Sequence, residues 1–379
     1  MVLDYSTGSG RSTEYQRLTE IMTGANGSFM GFAKHLCVSL FFLFLFLMNE
    51  STGFGQGRQK LLPDISLIGS VAGAYFQNEP VGDQGENPSR TGLNLQGLEL
   101  ALQSVVDPYV RGDVFILFKE DSVEVEDATL TTLSLPGNFQ MRAGKMLVRF
   151  GRQNTQHTEQ LNFVDQSRNN RFFFGPEGFS ELGGEASVLF PTPWFSELSF
   201  EFLQGENAGN FDGSRKEDFA YLGHWKNAVD LTPDLTFQNG LSGIFGFNNT
   251  AAGNSTQIYG TDIYFRWKPS LEKGLKWQTE YFIRRLEGLT AIQVEGGAYS
   301  ELLYQFARRW ETGLRYERVG LPDEGFRENS GSAVLTFLPT EFFRVRSQYN
   351  LIRPDGGGYQ HEAFLQLQFN IGPHGAHVF

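Results

Sequence analysis

Five arginines within thirty residues, Arg142, Arg149, Arg152, Arg168 and Arg171, are the side chains of this sequence best placed to act on a solute. A guanidinium is permanently charged and presents five donors in a rigid fork, so such a cluster steers or binds anions. Four of the five fall in "RFGRQNTQHTEQLNFVDQSRNNRFFFGPEG", residues 149–178, where Glu159, Asp165 and Glu177 only partly offset them. At a narrow passage that balance favours anions. The plainer reading is that these arginines pair with carboxylates and pin the segment, the commonest use of such residues. We count Asp165 with the arginines as a residue of the passage.

The remaining reactive side chains carry less. His157 with Glu159 makes a two-ligand fragment, and zinc needs three or four ligands, so no metal is expected there. His374 and His377 flank a Gly-Ala pair at the end of the chain. "SLEK", from Ser270 to Lys273, has an acyl-enzyme spacing but falls in an expected turn without companion motifs. "HEAFL", from His361, lacks the second histidine of a metalloprotease helix. Neither an enzyme nor a cofactor is expected.

What must position these residues is β-structure. From residue 64 onward, alternation with period two dominates. Phe343, Val345, Ser347, Tyr349 and Leu351 oppose Arg344, Arg346, Gln348 and Asn350. Leu275, Trp277, Thr279, Tyr281 and Ile283 oppose Lys276, Gln278, Glu280 and Phe282. Ala363, Leu365, Leu367, Phe369 and Ile371 oppose Phe364, Gln366, Gln368 and Asn370. One face is apolar and the other is charged or polar. Runs of about 10–15 residues are long for a soluble sheet and suit tilted transmembrane strands. Trp225, Trp267, Trp277 and Tyr109 fit rings settling at membrane interfaces.

Sixteen such runs can be counted: 64–77, 93–106, 109–119, 123–134, 139–149, 181–190, 196–205, 218–227, 235–247, 257–267, 275–286, 291–306, 309–318, 329–338, 342–352 and 360–371. Tight turns alternate with longer connections, of which 150–180 is the longest. This predicts an all-β fold: a transmembrane antiparallel β-barrel of about sixteen strands with both termini periplasmic. A barrel of that size leaves an aqueous lumen, while a plugged transporter takes about 22 strands and a lumen-filling domain. The segment 150–180 has no strand or helix period of its own, and we expect it to fold inward and narrow the pore.

The other end of the chain supplies the address. Lys34 and His35 precede an apolar run from Leu36 to Met48, followed by small residues up to a cut near Gln56, the grammar of a secretory signal peptide. The domain reading is therefore an extension at 1–29 upstream of the true start at Met30, a signal peptide at 30–56 and the barrel at 57–379. The single Cys37 lies within the leader, so the secreted part has no disulfide chemistry. The net charge is −12; removing residues 1–56 leaves 28 basic and 39 acidic residues, a net −11. An acidic chain without basic runs is a poor match for nucleic acid.

The segments "LPGNFQMRAGKMLVRFGRQNTQH", "FVDQS", "FFFGPEG", "PTPWFSELSFEFLQGE" and the ending "LQLQFNIGPHGAHVF" resemble bacterial outer-membrane proteins related to the phosphate-selective porin O and P superfamily. They are most similar to members labelled zinc-regulated TonB-dependent outer-membrane receptors. The resemblance covers about residues 90–206 and the C-terminus, and elsewhere extends only to pattern. Members tend to carry a second histidine where this chain has Glu159. The resemblance implies a passive channel fold, despite the receptor label, and by family analogy a homotrimer; with the arginine cluster, the reading is a diffusion channel for small hydrophilic solutes with anions favoured. The expected partners are those solutes, outer-membrane lipid and lipopolysaccharide, and the barrel-assembly machinery. The competing readings are a sealed receptor or adhesin barrel and, further off, a barrel enzyme.

Overall fold

The computed structural model describes residues 63–207, 209–212, 218–249, 252–322 and 327–372. The expected leader, the extension before it, and His374 and His377 lie outside the described residues. Sixteen strands form among the described ones: β1 (Asp64–Phe76), β2 (Gly92–Asp107), β3 (Val110–Phe118), β4 (Val123–Thr132), β5 (Phe139–Leu147), β6 (Ser180–Leu189), β7 (Phe195–Leu203), β8 (Ala220–Thr232), β9 (Leu235–Asn249), β10 (Asn254–Trp267), β11 (Gly274–Glu287), β12 (Ile292–Ala307), β13 (Trp310–Leu321), β14 (Glu328–Thr340), β15 (Phe343–Pro354) and β16 (Gln360–Ile371). One short α-helix, α1 (Arg168–Phe174), lies between β5 and β6, after two single 3-10 turns at Gln153–Thr155 and Thr158–Gln160.

Each strand pairs with its neighbours in sequence, and β1 pairs antiparallel with β16, with Val71 opposite Leu367. The sheet closes on itself. Closure removes both edges, which is what permits strands to cross hydrocarbon with every backbone group bonded. The sixteen runs legible in the sequence are these strands; the largest difference is β8, which continues to Thr232 rather than 227.

The faces fall as the alternation requires. In β15, Arg346, Gln348 and Asn350 are buried while Ser347, Tyr349 and Leu351 are exposed. In β16, Leu365 and Leu367 are exposed and Gln366 is buried. A water-soluble sandwich would have these reversed. Tyr109, Trp194, Trp267 and Trp310 stand exposed beside the short turns, at one end of the wall. Amphipathic rings at that level match a membrane interface.

Two expectations need correction. The segment 150–180 does contain a helix, α1, started by Ser167, whose side chain accepts from the Asn170 amide. Seven residues are too few to print a helical period on the sequence. The inner face is also not uniformly polar. Met146, Leu203, Leu222, Ile244, Ile258 and Phe282 point inward and are buried with phenylalanines of the segment. A lumen wall facing water needs polar side chains, but one facing a packed loop does not.

The lipid face yields a direct test. Leu367→Arg sets a charge on the exposed side of β16 and is expected to cost about 2–4 kcal/mol if it lies near the midplane. The same change at Gln368, on the inner side, is expected to be mild. Reversible unfolding from lipid vesicles compares the two; equal costs would mean the faces are reversed.

Candidate constriction site

The segment leaves β5 through Val148 and Phe150 and turns at Gly151, whose φ is +65°. A Cβ there would stand 2.5 Å from Glu280 Oε2 and 2.9 Å from Phe282 Cζ, so only glycine lets the backbone lie this close to β11. The Arg152 and Gln153 amides then donate to Glu280 Oε1 at 3.2 and 2.7 Å. Asn154 closes the neck of the segment. Its Nδ2 donates to the Val148 and Phe179 carbonyls at 2.8 and 3.0 Å, and its Oδ1 accepts from the Phe179 amide at 2.7 Å.

From the neck the chain crosses to the far wall. Arg346 Nη1 on β15 donates to the Leu161 and Phe163 carbonyls at 2.6 and 2.7 Å. Gln348 accepts from the Val164 amide at 2.6 Å. The Asp165 carboxylate takes Arg315 Nη2 of β13 at 2.7 Å, with Gln348 and Asn350 completing its shell at 2.6 and 3.0 Å. The Arg168 amide, at the start of α1, donates to Glu317 Oε1 at 2.7 Å. Phe173, Phe174 and Phe179 bring the chain back across an apolar patch, with Phe150 edge-on to Phe282 at 5.1 Å and Phe174 stacked on Phe179 at 5.2 Å. Burying one such ring is worth about 1.5–3 kcal/mol.

The five arginines divide into two groups. Arg142 pairs with Glu185 at 2.8 Å, and Arg149 with Glu185 and Glu197 at 3.0 and 3.1 Å. Arg168 reaches Glu328 and Glu362 at 2.8 and 3.2 Å. Arg149 and Arg168 fasten the segment and its neck to the wall, while the Arg142 pair ties β5 to β6 within the wall. The guanidinium groups of Arg152 and Arg171 have no carboxylate oxygen within 4 Å among the described residues. Arg152 lies 3.9 Å over the Tyr264 ring and donates to Gln278 and Gln238 at 3.1 and 2.9 Å. Arg171 donates to Gln84. Burial first, and then the positive charge of Arg168, lower the Arg171 pKa from the usual guanidinium range. Its charge is the less compensated one.

Asp165 has the opposite role. Burial works against its charge, but Arg315 and the Gln348 amide outweigh that and hold its carboxyl below the usual range. It is buried against the β13–β15 wall and serves as an anchor. His157 and Glu159 both belong to the inward segment, and His157 lies with Glu99 of β2 and Glu126 of β4.

The sequence places Glu280 and Arg346 on polar strand faces, but not the contacts that grip the segment. Glu280, Arg315, Glu317 and Arg346 grip the segment from positions 127 to 185 residues away. The usable signal was chemical: a buried strand position occupied by arginine in β13 or β15 demands an anionic or carbonyl partner inside the barrel.

The comparisons agree with this geometry. No family model matches the sequence. The anion-selective porin from Comamonas acidovorans superposes with a TM-score of 0.58 at 12% identity, covering 82% of this chain and 100% of that one. The outer-membrane channel DcaP of Acinetobacter baumannii gives 0.57 at 13%, covering 85% and 100%. A loop-deletion form of OmpT, an outer-membrane protein of Vibrio cholerae, gives 0.58 at 8%, covering 83% and 100%. At such identities the likeness establishes the fold of outer-membrane porins. It does not single out the phosphate-selective superfamily, and the receptor label finds no support in it. An uncharacterized protein of Aquifex aeolicus (strain VF5) is 30% identical over 381 residues, covering 85% of this chain and 81% of the relative. On that match, the chain belongs to the same family as the Aquifex protein, a family built here on a sixteen-strand porin barrel.

Proposed function

We propose that this chain is a diffusion channel of the bacterial outer membrane for small hydrophilic solutes, with anions favoured at a constriction formed by residues 150–180. The observation that carries the reading is the inward segment itself, which crosses the lumen and leaves the Arg152 and Arg171 guanidinium groups without carboxylate partners. Inside a channel, water is sparse and screening is incomplete, so an uncompensated guanidinium sets the local potential more strongly than at a surface. The paired arginines contribute shape and the two others contribute selectivity. One solved relative in fold is anion-selective by its own description, and another occurs in a trimer form, which agrees with the anion and homotrimer readings. Outer-membrane lipid, lipopolysaccharide and the assembly machinery remain the surroundings such a barrel requires.

One observation favours a second reading. The aromatic cluster of Phe150, Phe173, Phe174, Phe179 and Phe211 fills the lumen beside β8 to β11 with apolar side chains. A barrel sealed in this way would serve as a receptor or adhesin. Planar-bilayer recording separates the two: steady ohmic steps support the channel, and silence supports the sealed barrel.

The charge assignment has its own test. Arg152→Glu with Arg171→Glu is expected to move the reversal potential in a salt gradient toward cation selectivity, while conductance changes less than on deleting 152–177. Deletion is expected to raise conductance and blunt selectivity. An unchanged reversal potential together with an unchanged conductance on deletion would place the segment outside the current path, with its arginines left to meet lipopolysaccharide phosphates.

The anchor is tested separately. Asp165→Asn takes from the buried Arg315 one of its two carboxylates, with Glu317 Oε2 remaining at 3.1 Å, so the cost is expected to fall below the about 3–5 kcal/mol of breaking an isolated buried pair. Open-channel noise is expected to rise as the segment loosens, with ion selectivity little changed. Because the Asp165 pKa is depressed, its contribution is in place above the unfolded value of about 3.9 and is lost only as pH falls through the lower folded value. Quiet current at pH 5 that turns noisy on further acidification is the expected pattern in the unsubstituted protein.

A further inference from the structure

Where β2, β3 and β4 face the inward segment, one imidazole and two carboxylates meet. Ligand atoms of Glu99, Glu126 and His157 all lie within 4.8 Å of one another. His157 Nδ1 is 3.2 Å from Glu99 Oε2 and 3.5 Å from Glu126 Oε2, but neither contact has hydrogen-bond geometry, and Nδ1 has no hydrogen-bond partner. Glu99 Oε1 and Glu126 Oε2 are likewise buried without one. His157 and Glu99 are only 8% and 5% exposed, so these are polar atoms cut off from water and aimed at one point. Phe115 stacks on the His157 ring at 4.5 Å and fixes its plane. No lysine or arginine nitrogen comes within 4 Å of the Glu99 or Glu126 carboxylate among the described residues.

Carboxylates outnumber cations around this point, with Arg344 of β15 interacting electrostatically with Glu159. Glu86, from the connection before β2, and Glu159, from the segment, both interact electrostatically with the cluster, and Thr158 Oγ1 donates to Glu86 at 2.6 Å. Four carboxylates thus surround one imidazole. Unpaired buried charge is expensive, so protons or a cation must compensate it.

We propose that Glu99, Glu126 and His157 bind a divalent transition-metal ion of the zinc class. Calcium and magnesium prefer shells of oxygen alone, whereas an imidazole beside carboxylates suits zinc and its neighbours. Three protein ligands reach the lower limit for such an ion and leave a further position for water. The donors come from two wall strands and from the segment, so the ion fastens 150–180 to the β2–β4 side, where the arginine pairs of the opposite wall do not reach. The competitor is a proton. Burial disfavours the imidazolium, but the neighbouring carboxylates outweigh it and hold the His157 pKa well above the ordinary histidine range.

The test uses the mature barrel in detergent, stripped with a chelator and titrated calorimetrically with Zn²⁺ and, separately, with Ca²⁺. One zinc per chain is expected, with calcium binding at least tenfold weaker. His157→Ala is expected to weaken zinc binding by at least about 100-fold, the upper range for losing even an outer-shell partner, and Glu99→Gln by at least tenfold. Heat-modified electrophoretic mobility establishes that each variant has folded. X-ray absorption on the unsubstituted protein gives a readout independent of folding variants: a first shell including nitrogen at about 2.0–2.1 Å. Absence of zinc binding, equal affinity in folded His157→Ala, calcium binding as tight as zinc, or a shell of oxygen alone would each overturn the proposal and leave protons as the compensating charge.

Discussion

A stretch of irregular backbone inside a membrane barrel must find a partner for nearly every amide and carbonyl, because neither lipid nor a narrow lumen supplies enough water. In this barrel the wall supplies them. Carboxylates of Glu201, Glu280 and Glu317 accept amides at residues 149, 152, 153 and 168. Guanidinium groups of Arg315, Arg344 and Arg346 donate to the carbonyls of Asp165, Glu159, Leu161 and Phe163. The charged inner face therefore functions first as a substitute for the hydrogen-bond ladder the segment lacks. The guanidinium bonds have an ionised donor and are about twice as strong as neutral ones, which helps order 150–180 with so little secondary structure of its own.

That requirement changes how lumen charge should be interpreted. Counting arginines against carboxylates overstates the field a solute would meet, because Arg142, Arg149 and Arg168 are already matched to glutamates within 3.2 Å. The field inside the barrel depends on the charges that the fastening leaves over. Arg152 satisfies its donors with two glutamines and lies on the Tyr264 ring, so its positive charge is held without a direct ion pair, although the Asp262 carboxylate interacts with it electrostatically. Neutral partners of this kind hold a charge in place while leaving its field intact.

The wall was legible in the sequence because its pattern is local. Alternation within ten residues of β15 or β16 fixes which side chains face lipid, and sixteen such runs fix the architecture. The inner structure of the segment was not legible, for two physical reasons. Its partners are remote, with 150 residues separating Asp165 from Arg315 and 184 separating Val164 from Gln348. Its apolar support is also shared: Phe282 sits among polar neighbours on β11, and only the arrival of Phe150 and Phe173 makes it a core residue. The departure of Phe282 from the polar face was visible, but its meaning required the fold. His157 presents the same difficulty, since Glu99 and Glu126 come from strands more than thirty residues earlier in the chain.

The separation in sequence also sets an order of events. Strand pairs form between neighbours, apart from the closing pair of β1 with β16, so wall assembly needs nothing from the segment. The segment's bonds need β9, β11, β13 and β15 at once, from Gln238 to Gln348, and these strands surround it only after closure. Long loops closed by remote contacts carry their entropy cost before any contact repays it. Docking of the segment thus draws on strands that meet only on closure, and it supplies the partners that buried Arg315 and Arg346 of the wall require. A change within 150–180 therefore acts on contacts made across the closed barrel, while the strand pairing of the wall does not include the segment.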